Sequence, residues 1–168
     1  IKENLPHIIY VIKELLDEHK NEKGIIHCNS YQISKYIEEQ IHSKRLLFHS
    51  SDDRQDVLNL HMISKEPTVL VSPSFTEGID LIDDLGRFSI IVKCPFPYLG
   101  DNYVRTKMEK VSGWYEWNTV KTLIQASGRS IRHVKDYSVT YILDTDSSWM
   151  MSRNKHLFPQ WWTKAIQK

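Results

Sequence analysis

Apolar residues recur every three to four positions at the start of the chain, at Leu5, Ile8, Ile9, Ile12, Leu15 and Leu16. This helical period predicts an amphipathic helix over residues 4–22, with Asn4 as its N-cap and Gly24 just past its end. The pattern then tightens into a short apolar run, Gly24-Ile25-Ile26-His27-Cys28, which suits a buried strand. Asn29 and Ser30 offer caps for a second helix over 31–42, where Ile33, Ile37 and Ile41 fall at i, i+4 and i+8. Leu46 to His49 reads as a second strand. Ser50, Ser51 and Asp52 cap a helix through Lys65, and Pro67 stops it. Thr68–Ser72 and Phe88–Lys93 are the third and fourth strands, with Pro95 and Pro97 forcing an extended loop after the latter. Helices over 102–112 and 117–131 follow, then a fifth strand over 138–143. A short last helix begins near Phe158.

Buried apolar strands alternating with amphipathic helices predict an α/β fold: a mostly parallel central sheet with helices on both faces. No internal repeat, low-complexity tract or linker divides the chain, so residues 1–168 read as one domain. In such sheets the functional loops lie beyond the C-terminal strand ends. Here those loops are Asn29-Ser30-Tyr31, His49-Ser50-Ser51, Pro73 to Asp80, Cys94 to Gly100, and Asp144-Thr145-Asp146. All are rich in polar and turn residues.

Composition narrows the picture. At 168 residues, with 40% hydrophobic and 26% charged content, the chain resembles an ordinary globular domain. No apolar run is long enough for a membrane span, and residues 1–4 lack a signal pattern. The expected setting is cytoplasmic, or nuclear or virus-associated in a non-bacterial source. Ile1 stands where an initiator methionine would be, so the sequence reads as a piece of a longer protein. The two cysteines, Cys28 and Cys94, each follow an apolar run and read as reduced, buried thiols. The eight histidines show no ligand spacing beside carboxylates or thiols, so no metal site is expected. A net charge of +1 gives no global basic field, and any nucleic-acid contact must be local or shared with another domain.

The richest chemistry lies in Gln125-Ala126-Ser127-Gly128-Arg129-Ser130-Ile131-Arg132. Gln125, Arg129 and Arg132 fall at i, i+4 and i+7, one face of a helix. Arginine stays charged and offers a planar fork to phosphate oxygens, so this face suits a polyphosphate clamp and has the form of an arginine finger. A solvated helix face would use the same residues. The loop after the third strand, Ser72 to Asp80, places hydroxyls at Ser74 and Thr76, a permissive Gly78, and Asp80 as acceptor for a ribose hydroxyl or an arginine. A polar capping turn is its plainer reading. No Gly-x-x-x-x-Gly-Lys-Ser/Thr loop is present, and Asp83-Asp84 reads as a solvated pair in a turn. A clamp without a phosphate cradle places the nucleotide at an interface, with its other wall on another domain.

The order of these motifs resembles the second RecA-like motor domain of superfamily 2 helicases of the DinG/XPD (Rad3) type. The strand entering His27-Cys28-Asn29-Ser30-Tyr31 resembles motif IV, Thr76-Glu77-Gly78-Ile79-Asp80 resembles motif V, and Gln125 to Arg132 matches the Gln-x-x-Gly-Arg-x-x-Arg of motif VI. Lys93-Cys94-Pro95-Phe96-Pro97, with Gly100-Asp101, resembles the Pro-Phe-x-x-Pro-like loop of DinG more than the XPD branch, which implies a DinG-like, ATP-dependent DNA helicase. The likeness runs from about Gly24 to Asp144 and implies a RecA-like three-layer fold.

It also implies roles. Arg132 would be the finger on the γ-phosphate, and Arg129 would pair with phosphate or an opposing carboxylate. Gln125 would orient the nucleotide or attacking water. Glu77, Gly78 and Asp80 would belong to the ATP site, Asp80 touching ribose or organising motif VI. Ser30, Tyr31, Ser74 and Thr76 would line a single-strand track, with Arg54 as a further contact. ATP with magnesium would be held mainly by a first motor domain absent from this chain. The implied partners are that domain and single-stranded DNA, with RNA as the alternative. Where the family has Asp-x-Arg after the last strand, this chain has Asp144-Thr145-Asp146. Cys28 and Cys94 do not match the family's iron–sulfur ligands, so no cluster is expected here. Most of the five tryptophans read as core or docking aromatics, His49 and His133 as structural or solvent-facing, and Lys44-Arg45 as a solvated pair. The rival reading is a nonenzymatic module that binds nucleic acid or protein with a motor-like fold.

Overall fold

The computed structural model describes residues 4–74, 80–128 and 135–167. The elements run α1 (Leu5–Glu18), β1 (Gly24–His27), α2 (Tyr31–Gln40), β2 (Leu46–Phe48), α3 (Arg54–Ile63), β3 (Val69–Ser72), β4 (Phe88–Ile91), α4 (Asn102–Lys110), α5 (Trp114–Ser127), β5 (Val139–Ile142), α6 (Thr145–Arg153) and α7 (Gln160–Lys164). The five strands form one sheet in the order β2-β3-β1-β4-β5, and every pairing is parallel.

Strand alternation sorts the side chains onto two faces. On the first, Ile26, Cys28, Val69, Val71, Phe88 and Ile90 pack against α1 and α2 through Ile8, Ile9, Ile12, Leu15, Leu16, Ile33 and Ile37. On the second, Ile25 and Leu70 meet Leu81 and Val57 and Leu58 of α3. Farther along that face, Ile91 packs with Val120, Leu123 and Ala126 of α5, Met150 of α6, and Phe158 and Trp162. Helices therefore cover both faces, as the alternating pattern predicts. Between the two apolar clusters of the second face runs a polar seam of Ser72, His27, Ser89 and Thr140, one residue from each of four adjacent strands; the first three are buried.

Three local readings are corrected. The first helix stops at Glu18, short of residue 22, so Gly24 closes no helix; it opens β1, as the apolar run beginning there predicts. Asp144 does not lead a loop: it caps α6, its carboxylate accepting from the Asp146 amide at 3.2 Å. Arg45 is not a solvated residue. Its guanidinium donates to the carbonyls of Leu16 (2.7 Å), His19 (2.8 Å), Glu22 (3.0 Å) and Pro67 (2.8 Å), so one side chain closes the orphan carbonyls at the end of α1. Replacing it by alanine removes all of these bonds, leaving the His19 carbonyl only its bond from the Glu22 amide (3.0 Å), and should cost about 1–3 kcal/mol. Lysine keeps the charge but not the fork, so Arg45→Lys should recover only part of the loss. Urea denaturation of both variants checks this, and a wild-type midpoint for Arg45→Ala would refute it.

His61 makes a comparable tie on α3. It is fully buried; Nε2 meets the Leu85 carbonyl at 2.8 Å and Nδ1 meets the Thr68 hydroxyl at 2.8 Å. Desolvation lowers its pKa, opposed by the bond to Leu85 and reinforced by the Lys23 charge. The neutral ring thus belongs to the folded state. Below about pH 6.5 the unfolded chain binds a proton at this position that the folded one refuses, so stability falls as pH drops. Between about pH 7.5 and about pH 5.5 the wild type should lose more stability than His61→Gln. Equal losses in the two proteins would remove His61 from the pH response.

Candidate functional site

Because the strands are parallel, their C-terminal ends share one edge. Ser74 follows β3, Ser30 and Tyr31 follow β1, Cys94 and Phe96 follow β4, and Asp144 follows β5. Asn29 adopts a left-handed backbone (φ 51°), which asparagine tolerates better than most residues. Its amide donates to the Cys94 carbonyl at 3.5 Å. The Cys94 amide in turn donates to the Asp144 carboxylate at 2.7 Å. Three neighbouring strand-end loops are thereby tied in a row. Ser72 adds a hydroxyl bond to the Ser74 carbonyl at 2.9 Å.

On this tied edge Ser30 is half-buried in extended backbone at the start of α2. Tyr31 is 56% exposed, and Ser74 is half-buried. These three share the edge expected of a strand track. Arg54 opens α3 beyond β2 and is half-buried. The neighbouring Asp53 accepts from both the amide (2.7 Å) and the hydroxyl (2.8 Å) of Ser50, and these bonds, the hydroxyl first, hold its carboxyl below the usual range. Both cysteines are free and buried. Burial pushes the Cys28 thiol far up and the Cys94 thiol to about 12, so neither is a thiolate near neutral pH.

The second group of predicted residues sits elsewhere. Gln125 is exposed on α5. The end of that helix lies beside the first half of β5, where the Thr140 hydroxyl meets the Ser127 carbonyl at 3.4 Å. Asp80 is exposed and directly precedes Leu81, which is buried against Ile25 and Leu70. Thr76, Glu77, Gly78, Arg129 and Arg132, with Ile79 and His133, lie outside the described residues. Gln125 and Asp80 are surface positions and line neither the cleft of Phe96, Thr145, Asp146 and Trp149 nor that between Trp114 and Leu157. Among the described residues, no group of three or more His, Cys, Asp or Glu is arranged to hold a metal ion, and no helix is long and apolar enough to cross a membrane.

The profile of the Helicase C-terminal domain family matches residues 12–165, from the middle of α1 to the end of α7. The chain belongs to this family. As a helicase C-terminal domain it is similar to the ATP-dependent DNA helicase CHL1 of Candida albicans, 34% identical over 58% of this chain and 13% of that protein. CHL1 of Vanderwaltozyma polyspora is 28% identical over 77% of this chain and 18% of its own length. A regulator of telomere elongation helicase 1 homolog from Caenorhabditis elegans is 31% identical over 55% and 11%. The chain thus spans a fifth or less of these curated relatives. Among solved structures, an XPD helicase superposes with a TM-score of 0.70 at 22% identity, covering 94% of this chain and 31% of the other. The S. cerevisiae Dbp5 C-terminal domain gives 0.58 at 16%, covering 98% and 82%. At these identities the superpositions establish the RecA-like fold. Together with the family match and the CHL1 and telomere-helicase relatives, they make this a superfamily 2 helicase C-terminal domain of XPD/Rad3 type.

Of the core-or-docking reading of the tryptophans, the core half holds for one residue. Only Trp162 is core, at 6% exposed; Trp117, Trp149 and Trp161 are 48%, 52% and 63% exposed. Lys121 lies over Trp117 and Arg153 over Trp149, with the cation 5.3 Å and 5.1 Å from the ring centroid. The loop tie through Asn29 was missed by sequence reasoning. An asparagine directly after a buried apolar run was the available signal, since that residue type accepts a left-handed turn.

Proposed function

We propose that this chain is the second motor domain of an ATP-dependent DNA helicase, working opposite a first motor domain that binds the nucleotide and magnesium. The observation that carries this is the family match across 12–165, within which Gln125 to Arg132 retains the full Gln-x-x-Gly-Arg-x-x-Arg pattern. In this reading ATP draws the two domains together. Arg132 meets the γ-phosphate, Arg129 a neighbouring oxygen or carboxylate, and Gln125 orients the nucleotide or water. Glu77, Gly78 and Asp80 complete the nucleotide side. Charge-assisted bonds to the polyphosphate strengthen as the cleft excludes water. Hydrolysis removes them, and the domains reopen.

The single strand lies along the tied edge, on the hydroxyls of Ser30, Ser74 and Thr76, with Tyr31 free to stack on a base and Arg54 near the backbone. Such contacts hold a strand without reading its sequence. DNA is preferred over RNA as substrate because the CHL1 relatives are named DNA helicases. Within the family, the Lys93 to Pro97 loop alone favours a DinG-like enzyme, whereas the relatives' names favour the CHL1-like side, and we adopt the broader Rad3-type assignment. Single-strand-stimulated ATPase and duplex unwinding by the full-length parent test the proposal. Robust stimulation is expected. Tight strand binding with no turnover would point instead to a nonenzymatic module.

A further inference from the structure

The last turn of α5 is fastened from two sides. The buried Trp162 indole N–H donates to the Ser127 hydroxyl at 2.8 Å, and that hydroxyl donates to the Ile124 carbonyl at 3.0 Å. From the sheet, the Ser89 hydroxyl donates to Thr140 at 3.1 Å, and the Thr140 hydroxyl donates to the Ser127 carbonyl at 3.4 Å. The tryptophan itself is held by Phe158, stacked at 4.8 Å between centroids. It packs with Leu123 and Ala126 of the same helix. Ser127 therefore receives bonds from α7 and from β5, two elements that meet nowhere else on α5 in hydrogen bonds among the described residues. Gly128 ends the helix directly after it, and an added Cβ there would lie 3.3 Å from the Ile124 carbonyl.

We infer that Trp162 is a positioning residue for ATP hydrolysis: through Ser127 it sets the direction in which the last turn of α5 presents Gln125. The inference rests on the motor-domain reading above. A buried indole needs some partner for its N–H, and a hydroxyl elsewhere in the core would serve stability equally well. The bond goes instead to the second residue after Gln125, the last of the helix. Displacement of catalytic groups by about 1 Å costs up to about 100-fold in rate, so the fastening acts on turnover before it acts on folding.

The test uses the full-length parent, with Trp162→Phe, which keeps ring packing and removes the N–H, and Ser127→Ala, which removes the acceptor. Each should lower kcat by about 10-fold to about 100-fold, with KM for ATP, single-strand affinity and the thermal midpoint near wild type. The double variant should fall no further than the worse single one, because both break one bond. Arg132→Ala run alongside separates the two ideas. If Arg132→Ala is inactive while Trp162→Phe and Ser127→Ala turn over normally, the positioning role is wrong and the motor reading stands. A kcat loss that merely tracks a lowered midpoint, or additive losses in the double variant, would also overturn the positioning role. If Arg132→Ala retains activity, the motor reading fails and the inference with it.

Discussion

Arg132→Ala in the full-length parent should lower single-strand-stimulated ATPase by about 10³–10⁵-fold, the usual cost of removing an arginine finger. The reason is electrostatic. In phosphoryl transfer, charge develops on the oxygens between the transferred and leaving groups, and a fixed guanidinium in a closed cleft stabilises it without reorganising. Lysine at the same position keeps the charge but loses the planar two-pronged contact, so Arg132→Lys should recover little. Single-strand affinity without nucleotide should be unchanged in both, because Ser30, Tyr31 and Ser74 lie on the strand-end edge while Gln125 lies at the far end of α5 beside β5. Near-wild-type turnover by Arg132→Ala would refute the assignment of the finger. Parallel loss of strand binding would show that the two groups are not separate.

Phe88→Ala should destabilise the domain by about 3–5 kcal/mol, a large share of the roughly 5–15 kcal/mol that holds a domain folded. Phe88 is fully buried in β4. Its ring covers Gly24, where an added Cβ would sit 2.5 Å away. It also stacks on His19 at 4.4 Å and 13°. His19 then bonds Glu22 through Nδ1 at 2.6 Å and Tyr141 through Nε2 at 2.9 Å. The ring therefore stands where the end of α1, the start of β1, and strands β4 and β5 converge. Removing it leaves a void whose walls are strands fixed by their own ladders, so little relaxation can refill it. Gly24→Ala attacks the same junction from the other side and should also destabilise, since the ring cannot retreat without unstacking His19. Chemical denaturation measures both, and a loss below about 1 kcal/mol for Phe88→Ala would mean that the junction repacks.

Five strands were legible because each is a short apolar run bracketed by glycine, proline or polar caps. The helical period at Leu5, Ile8, Ile12 and Leu15 needed no tertiary information either. What failed was whatever depended on distant partners. Nothing within a few residues of Arg45 announces that the carbonyls of Leu16, His19 and Glu22 will come to it, so local reasoning left it in solvent. Helix α6 was hidden because Asp146, Ser147 and Ser148 interrupt its apolar period, although Asp144 in front of it was a usable cap signal. The spatial order of the strands was likewise unreadable from the chain. For the site, sequence pattern identified the polar strand-end loops that the fold gathers on one edge, but not that Gln125 stands apart from them. The fastening of Ser127 by Trp162 joins residues 35 apart, which no motif spacing encodes.

The strand order has a consequence for synthesis on the ribosome. Strands β1 and β2 are never neighbours, and β3 inserts between them. Until Val69–Ser72 has left the exit tunnel, the first two strands have no partner at all. The other side of β1 then waits for Phe88–Ile91. The stretch of this domain up to β3 must therefore travel with Ile25, Ile26, Leu46 and Leu47 unpaired in the sheet. Non-local parallel pairing of this kind forms slowly and leaves sticky edges uncovered. Chaperone dependence should accordingly peak before β3 emerges and fall sharply once β4 has been translated.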